Sequence, residues 1–350
     1  MKQIALYLFF AIIISCTGTE VENIGTYFPE YIIAADGSFI SQVRTSGVIV
    51  KNAAGQPEDM LTTLKNAGVN TIRLRLFKNP ADGHSGFNEV KTFAEEIRNK
   101  GMKVWLTVHY SDTWADPAHQ EKPAEWSGQS YAQLKASVYN YTKQIVTGIG
   151  PDYIQIGNEI NAGFLFPEGA YANMEQLKGL LAEGCRAVRE NSDAVIMLHY
   201  AGYEGAASFY SNFIDLDYDL IGLSYYPMWH GKNLNQLQAN MQALFLAHSK
   251  PVVIAETSYP FTFGYNDFTN NIIGSQDQIL PQYPATPEGQ AAYLAKIKEI
   301  SVEYGLGFCY WGGEWISFNG PEATNGSAYE NQALWDFDAK ALPAMSVFRN

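Results

Sequence analysis

The chain has 350 residues, 47% of them hydrophobic and 17% charged, enough apolar material for two ordinary domains or for one large α/β barrel. Its net charge of −13 excludes nucleic acid and other anionic polymers as partners. Aromatic residues make up 14%, including 22 Tyr and 7 Trp, a content that suits a core and also a cleft whose flat apolar faces stack on pyranose rings.

The first residues, MKQIALYLFFAIIISC, set one Lys before an apolar run from Ile4 to Ile14. That run is too short to span a bilayer and reads as an export signal. Ile13-Ile14-Ser15-Cys16 has the form of a bacterial lipoprotein cleavage box, in which the cysteine becomes the lipidated first residue. The expected organisation is a signal peptide over 1–16 ending at the lipidation residue Cys16, a short tether over 17–24 and a single domain over 25–350. Such a protein is exported and sits at the cell surface or in the periplasm as a monomer, touching the membrane only through its lipid. An ordinary signal peptide with a chance cysteine is the alternative.

Beyond the tether, strand-like and helix-like runs alternate. Strands are expected at 31–35, 71–76, 103–109, 153–157, 195–200, 220–224, 251–255 and 307–311, mostly short apolar runs without strict alternation, as in parallel strands buried on both faces. Helical patterns lie between them at 88–100, 131–150, 174–191, 234–247 and 288–304. In the second of these, Leu134, Val138, Tyr141 and Ile145 recur at helical spacing before Gly148 and Gly150. Thr286, Pro287 and Glu288 form a helix start. The stretch 261–284 is polar and strand-poor, an expected loop on the active-site face. Cys185 and Cys309 read as small buried hydrophobes, and no paired Cys or His motif suggests a metal. About eight strand–helix units without a linker predict a single (β/α)8 barrel, the TIM barrel, whose active sites gather at the C-terminal ends of the strands.

Those strand ends carry the candidate chemistry. The second gives Arg73 and Arg75, the third His109, Asp112 and Asp116, and the fourth Asn158-Glu159. The sixth gives Tyr225, Tyr226, Trp229 and His230, the seventh Glu256, and the eighth Trp311, Glu314 and Trp315. Glu159 and Glu256 each close an apolar strand, on opposite sides of the barrel mouth. Two carboxylates across a cleft are what glycoside hydrolysis requires: one donates a proton to the leaving oxygen, and the other attacks the anomeric carbon or activates water. Their surroundings must push their pKa values apart. Asn158 stands where it can hold a sugar hydroxyl, and Tyr226 and Arg73 where they can steady an ionised carboxylate. A glutamate paired with Arg73 for structure alone is the plainer reading of either residue, but both being structural fits poorly with the Trp and Tyr massed at the same ends. Trp105 is mid-strand and core-like, whereas Trp114, Trp229 and Trp315 lie in post-strand loops as stacking candidates. His109 fits a satisfied semi-buried histidine as well as a sugar contact, and Asp112 and Asp116 fit loop caps.

The stretches NTIRLRLF, HYSDTWADPAHQEKPAEW, IQIGNEINAGFLFPEG, IGLSYYPMWHG, VVIAETSYPFT and ENQALWDFDAKALPAM together resemble the endo-β-1,4-galactanases, the arabinogalactan-degrading family 53 of glycoside hydrolases within the clan of retaining (β/α)8 glycosidases. The resemblance implies endo hydrolysis of β-1,4-galactan, a pectin side chain, with Glu159 as acid/base and Glu256 as nucleophile. It implies carboxyl groups about 5–5.5 Å apart, and a shell of Arg73, His109, Asp112, Asn158, Tyr226 and Trp311 around the sugar at the cleavage point. No cofactor is required. Some members bind calcium near the seventh and eighth strands, and Asp267 and Asp277 lie in the corresponding loop, but their spacing fits no metal-binding loop motif. The chain departs from the family at Trp311-Gly312-Gly313-Glu314-Trp315, where Trp-Glu-Pro is usual, and at Phe164-Leu165-Phe166, where many members have a Trp; both changes are expected on the cleft wall. The rival readings are a retaining hydrolase of another β-linked glycan and a non-catalytic surface glycan-binding protein.

Overall fold

The structure, a computed structural model, describes residues 30–349. The signal peptide, Cys16, the tether and residues 25–29 of the expected domain lie outside the described residues. Eight parallel strands close into one barrel in sequence order: β1 Ile32–Asp36, β2 Thr71–Leu76, β3 Lys103–Val108, β4 Tyr153–Ile156, β5 Val195–Ala201, β6 Leu220–Ser224, β7 Val252–Thr257 and β8 Gly305–Tyr310. The helices are α1 Ile40–Ser46, α2 Met60–Ala67, α3 Phe87–Asn99, α4 Tyr131–Gly148, α5 Met174–Asn191, α6 Ala206–Ser211, α7 Pro227–His230, α8 Leu234–His248 and α9 Pro287–Tyr304. The expected (β/α)8 fold is observed. Helix α4 begins on a capping box of Ser130 and Gln133. The Thr286 side chain accepts from Gly289 N–H at the start of α9, with Pro287 in the first turn. Four helices were not expected. Three of them, α1, α6 and α7, span two turns or fewer and are too short to show a period. The fourth, α2, carries Asp59 as its cap and Gly68 as its stop, a signal visible in the sequence.

The strands bury both faces. Outward residues pack under the helices in the main apolar cluster. Inward residues fill the barrel, and Ile32, Ala34, Trp105, Tyr153, Met197, Val253, Ala255 and Cys309 form its apolar floor. One step higher along the same inward rows stand Asp36, Arg73, Thr107, Gln155 and His199, all buried. Side chains two residues apart share a face, so apolar floor and polar ceiling are written into single strands: Trp105 then Thr107, Tyr153 then Gln155, Met197 then His199. A buried polar layer must be hydrogen-bonded, which forces the ceiling into one network at the strand C-termini.

Strand β7 breaks this rule. Val253 and Ala255 face inward, so strict alternation would turn Glu256 out toward the helices. The register shifts at this point against both neighbours, Ser224 pairing with Glu256 and Thr257 with Tyr310. Such irregularities re-aim a side chain. Glu256 turns into the mouth, and Thr257 turns out to the Tyr293 hydroxyl on α9. The loop 258–286 carries only a short 3-10 turn, Gln276–Gln278, as expected. Cys185 and Cys309 are free and buried.

Candidate active site

A cavity of about 510 Å³ opens at the C-terminal ends of the strands. Its lining includes Arg73, Arg75, His109, Trp114, Asn158, Glu159, Tyr226, Trp229, Glu256, Trp311, Trp315 and Tyr329. Glu159 and Glu256, at β4 and β7, share this one cavity, and Glu159 feels the charge of Glu256.

The chain delivers Glu159 by a sharp turn. Gly157 has φ 84°, and a Cβ there would lie 2.7 Å from the Ile160 side chain. Glu159 itself sits at φ 46°, ψ 56°, a left-handed conformation that glutamate seldom adopts and that is held only where the surroundings over-determine it. Its Oε1 accepts from the Ser224 hydroxyl at 2.6 Å. His199 on β5 backs this contact, with Nε2 2.9 Å from Ser224 Oγ and Nδ1 3.1 Å from Asn158 Oδ1. Among the described residues no cation forms an ion pair with Glu159. Burial, reinforced by the charge of Glu256, raises its carboxyl to about 8, because an unpaired buried carboxylate is disfavoured and takes up a proton instead.

Glu256 has the opposite setting. Its Oε1 accepts from Arg73 Nη2 at 2.6 Å, and its Oε2 accepts from the Tyr226 hydroxyl at 2.9 Å. Burial raises this carboxyl too, but Arg73 and Tyr226 act against the rise. Arg73 is 1% exposed and gives every donor group to the site: Nε to Gln155, Nη1 to Asp36, Nη2 to Thr107, Asn158 and Glu256. Its guanidinium is held charged by Glu256 and Asp36 against the pull of burial. One carboxyl is thus left to keep its proton, and the other is provided with a fixed cation.

Around the pair, Asn158 donates one Nδ2–H to Ala115 O at 2.8 Å and keeps a second donor for the cavity. His109 accepts the Ala115 N–H on Nδ1 at 2.8 Å. Burial, with Arg75 and Arg73 nearby, keeps its imidazole well below the usual range, so the neutral ring carries its proton on Nε2. His109 is therefore both the satisfied histidine and the cavity donor. The apolar wall is Trp114, Trp311, Trp315 and Tyr329, with Trp114 stacked on Trp315 at 6.4 Å and Trp315 on Tyr329 at 5.5 Å. Trp114 is 38% exposed, while the Arg75 guanidinium covers its ring at 4.0 Å. Trp229 is 48% exposed and edges onto Tyr226.

Two expectations need correction. Asp112 does not reach the cavity: its oxygens accept from Asn79 N–H at 3.0 Å and Ala124 N–H at 2.8 Å, so it ties loop ends together. Phe164 and Leu165 are not on the cleft wall; both are buried, Phe164 edge-on to Tyr110 at 5.0 Å. Asp267 and Asp277 have separate surroundings. Asp267 accepts from Thr269 N–H and the Ser317 hydroxyl, whereas Asp277 is exposed and accepts from Ser275. Among the described residues no group of three or more His, Cys, Asp or Glu could hold an ion, and calcium wants six to eight oxygens. The loop 258–286 reaches the barrel mouth but lends the cavity no residue.

Sequence reasoning missed Ser224, His199, Gln155, Thr107 and Tyr329. The first four are inward strand positions, legible by alternation once the strands are placed. Tyr329 follows β8 by nineteen residues of irregular chain, and no local pattern marks it.

Comparison with known proteins agrees with this geometry. The profile of glycosyl hydrolase family 53 matches residues 32–348. The endo-β-1,4-galactanase of Bacillus subtilis is 36% identical over 91% of this chain and 86% of its own. The arabinogalactan endo-β-1,4-galactanase of Cellvibrio japonicus is 31% identical over 91% and 90%. The solved family 53 catalytic domain of Ignisphaera aggregans superposes with a TM-score of 0.85 at 36% identity, covering 91% of this chain and 96% of that one. With the profile spanning the barrel from its first strand to its last helical turn, the chain belongs to glycosyl hydrolase family 53.

Proposed function

We propose that this protein hydrolyses β-1,4-galactosidic bonds within galactan chains by a retaining double displacement. The observation that carries the reading is the unequal pair in one cavity: Glu159 without a cation and Glu256 clasped by Arg73 and Tyr226. In the first step Glu256 Oε attacks the anomeric carbon, the bond from that carbon to the leaving oxygen breaks, and the Glu159 proton passes to that oxygen. In the second, Glu159, now a carboxylate, takes a proton from water, whose oxygen attacks the same carbon and expels Glu256. Charge on the sugar develops beside Asn158 and His109, which offer neutral donors. Trp311 and the half-exposed Trp229, both on the cavity lining, support stacking of the flanking pyranoses. The substrate assignment is supported by the galactanase relatives.

The test is product analysis on a panel of β-linked polysaccharides. Galactan is expected to yield short oligosaccharides of mixed length, with the β-anomer appearing first by NMR. Product from mannan or glucan but none from galactan would transfer the reading to another glycan. Galactan binding without product would leave only a glycan-binding protein.

The N-terminal segment supports export with lipidation at Cys16 and a tether over 17–24, which would hold the catalytic domain at a membrane surface as a monomer. Labelled palmitate is expected to enter the wild-type chain and not Cys16→Ser; equal labelling of both would remove the anchor.

A further inference from the structure

Glu314 lies in the turn Trp311-Gly312-Gly313-Glu314-Trp315 after β8. It is 1% exposed and contributes nothing to the cavity lining. Its Oε1 accepts from Phe39 N–H at 3.1 Å, and its Oε2 is buried with no partner among the described residues. The groups that face it are a second carboxylate, Asp36 on β1, with Arg75 on β2 and Cys309 on β8 beyond. Arg75 forms no ion pair with it and is held instead by Ser85 Oγ at 3.1 Å and His84 Nε2 at 3.0 Å. A second buried negative charge here is strongly disfavoured, and a single proton removes the repulsion. Burial first, and the Asp36 charge second, push the Glu314 carboxyl well above its usual range.

Asp36 is the charged partner. Its Oδ1 accepts from Ser38 N–H at 2.9 Å and its Oδ2 from Arg73 Nη1 at 3.2 Å. Arg73 therefore stands between two carboxylates, Asp36 on one side and Glu256 on the other. Whatever draws negative charge from Asp36 leaves more of the guanidinium field to Glu256.

We infer that Glu314 is a positioning residue for the reaction: a neutral acid whose Oε2–H is donated to the Asp36 carboxylate, so that Arg73 is left to hold Glu256 ionised. The inference rests on the reading of Glu256 as the nucleophile. The relay runs from Glu314 through Asp36 and Arg73 to Glu256, and fills the one unmet hydrogen bond at Glu314 Oε2. Besides Arg73, the groups facing Glu256 are Asp36, Tyr226, Glu159, Tyr329 and Cys309, and none of these donates to Asp36.

The test is the pH profile of kcat/KM on galactan, with melting temperature in parallel, for wild type, Glu314→Leu and Glu314→Gln. Leucine removes the donor, Asp36 keeps its full charge, and Glu256 becomes harder to ionise. The acid limb should move up by about one pH unit, a roughly tenfold loss on the acid side that shrinks as pH rises. Glutamine retains an N–H donor and should restore the limb to its wild-type position. An unmoved limb in Glu314→Leu, or the same shift in Glu314→Gln, overturns the relay, as does a fall in melting temperature shared by both with no change in profile. Should Glu314→Leu fail to fold, infrared difference spectra decide between Glu159→Gln and the double variant Glu159→Gln, Glu314→Gln. A protonated-carboxyl band at neutral pH that disappears in the double variant supports the relay, and its absence from both overturns it. Azide rescue of Glu256→Ala tests the nucleophile separately, so an unmoved limb with rescue intact sinks the relay alone.

Discussion

Replacing Glu256 with alanine is expected to lower kcat on galactan by roughly four orders of magnitude or more, with the fold kept. The loss follows from the proposed role of Glu256, which supplies the oxygen that reaches the anomeric carbon and is aimed by Arg73 at 2.6 Å and Tyr226 at 2.9 Å. The alanine variant leaves a hole beside a guanidinium that has lost one of its two carboxylates, a ready place for a small anion. Added azide should enter that hole, attack the anomeric carbon from the vacated face and restore turnover. The product should be the α-glycosyl azide, inverted relative to the β-linked substrate, because only one displacement takes place. Identification is by NMR. An unimpaired Glu256→Ala enzyme would remove the double displacement altogether, and a β-azide would place the nucleophile elsewhere.

Glu159→Gln should separate proton transfer from binding. Hydrolysis of the polymer is expected to fall roughly 10²–10⁴-fold, since a sugar leaving group needs a proton. A dinitrophenyl galactoside, whose leaving group needs none, should still glycosylate Glu256 and release one burst of phenolate before the slowed second step. The wild-type profile should lose activity above about pH 8, where Glu159 ionises, and the variant should lack that limb. Stability should move the other way. The folded-state value of about 8 exceeds an unfolded value of about 4.3, so the folded wild type binds this proton more tightly. Its stability therefore falls as pH rises between the two values, by about 1.4 kcal/mol per unit at most. Glutamine cannot ionise. Glu159→Gln should melt above wild type at pH 8 and level with it near pH 4. A melting difference that does not grow with pH would mean that Glu159 is not held protonated.

Much of the site was legible in the chain because strand ends announce themselves. Apolar runs that stop at Asn158-Glu159 and near Glu256, with Tyr226, Trp229 and Trp311 at corresponding ends, place the chemistry at the barrel mouth before any coordinate is known. Arg73 was legible as a partner for one carboxylate. Which carboxylate it serves was not, for the residues in contact are separated by 183 positions in the chain. Asp112 shows the converse: the family resemblance implied a sugar contact, whereas its place in the loop read as a cap, and both its oxygens do face backbone amides of its own and a neighbouring loop. Phe164 and Leu165 failed for the same reason, because position after a catalytic turn does not reveal which way a side chain points.

By itself the sequence determined the barrel, since eight buried strands alternating with helices have one economical closure, and it determined the two acids, since local hydrophobic pattern reveals where each strand runs out. The tertiary structure decided their surroundings. The slip in β7 turns Glu256 inward against the alternation of its own strand, and closure of the barrel sets Arg73 and Tyr226 on that carboxylate and only a serine hydroxyl on the other. A side chain's charge state depends on the groups within a few ångströms of it, and those groups come from strands far apart in the chain.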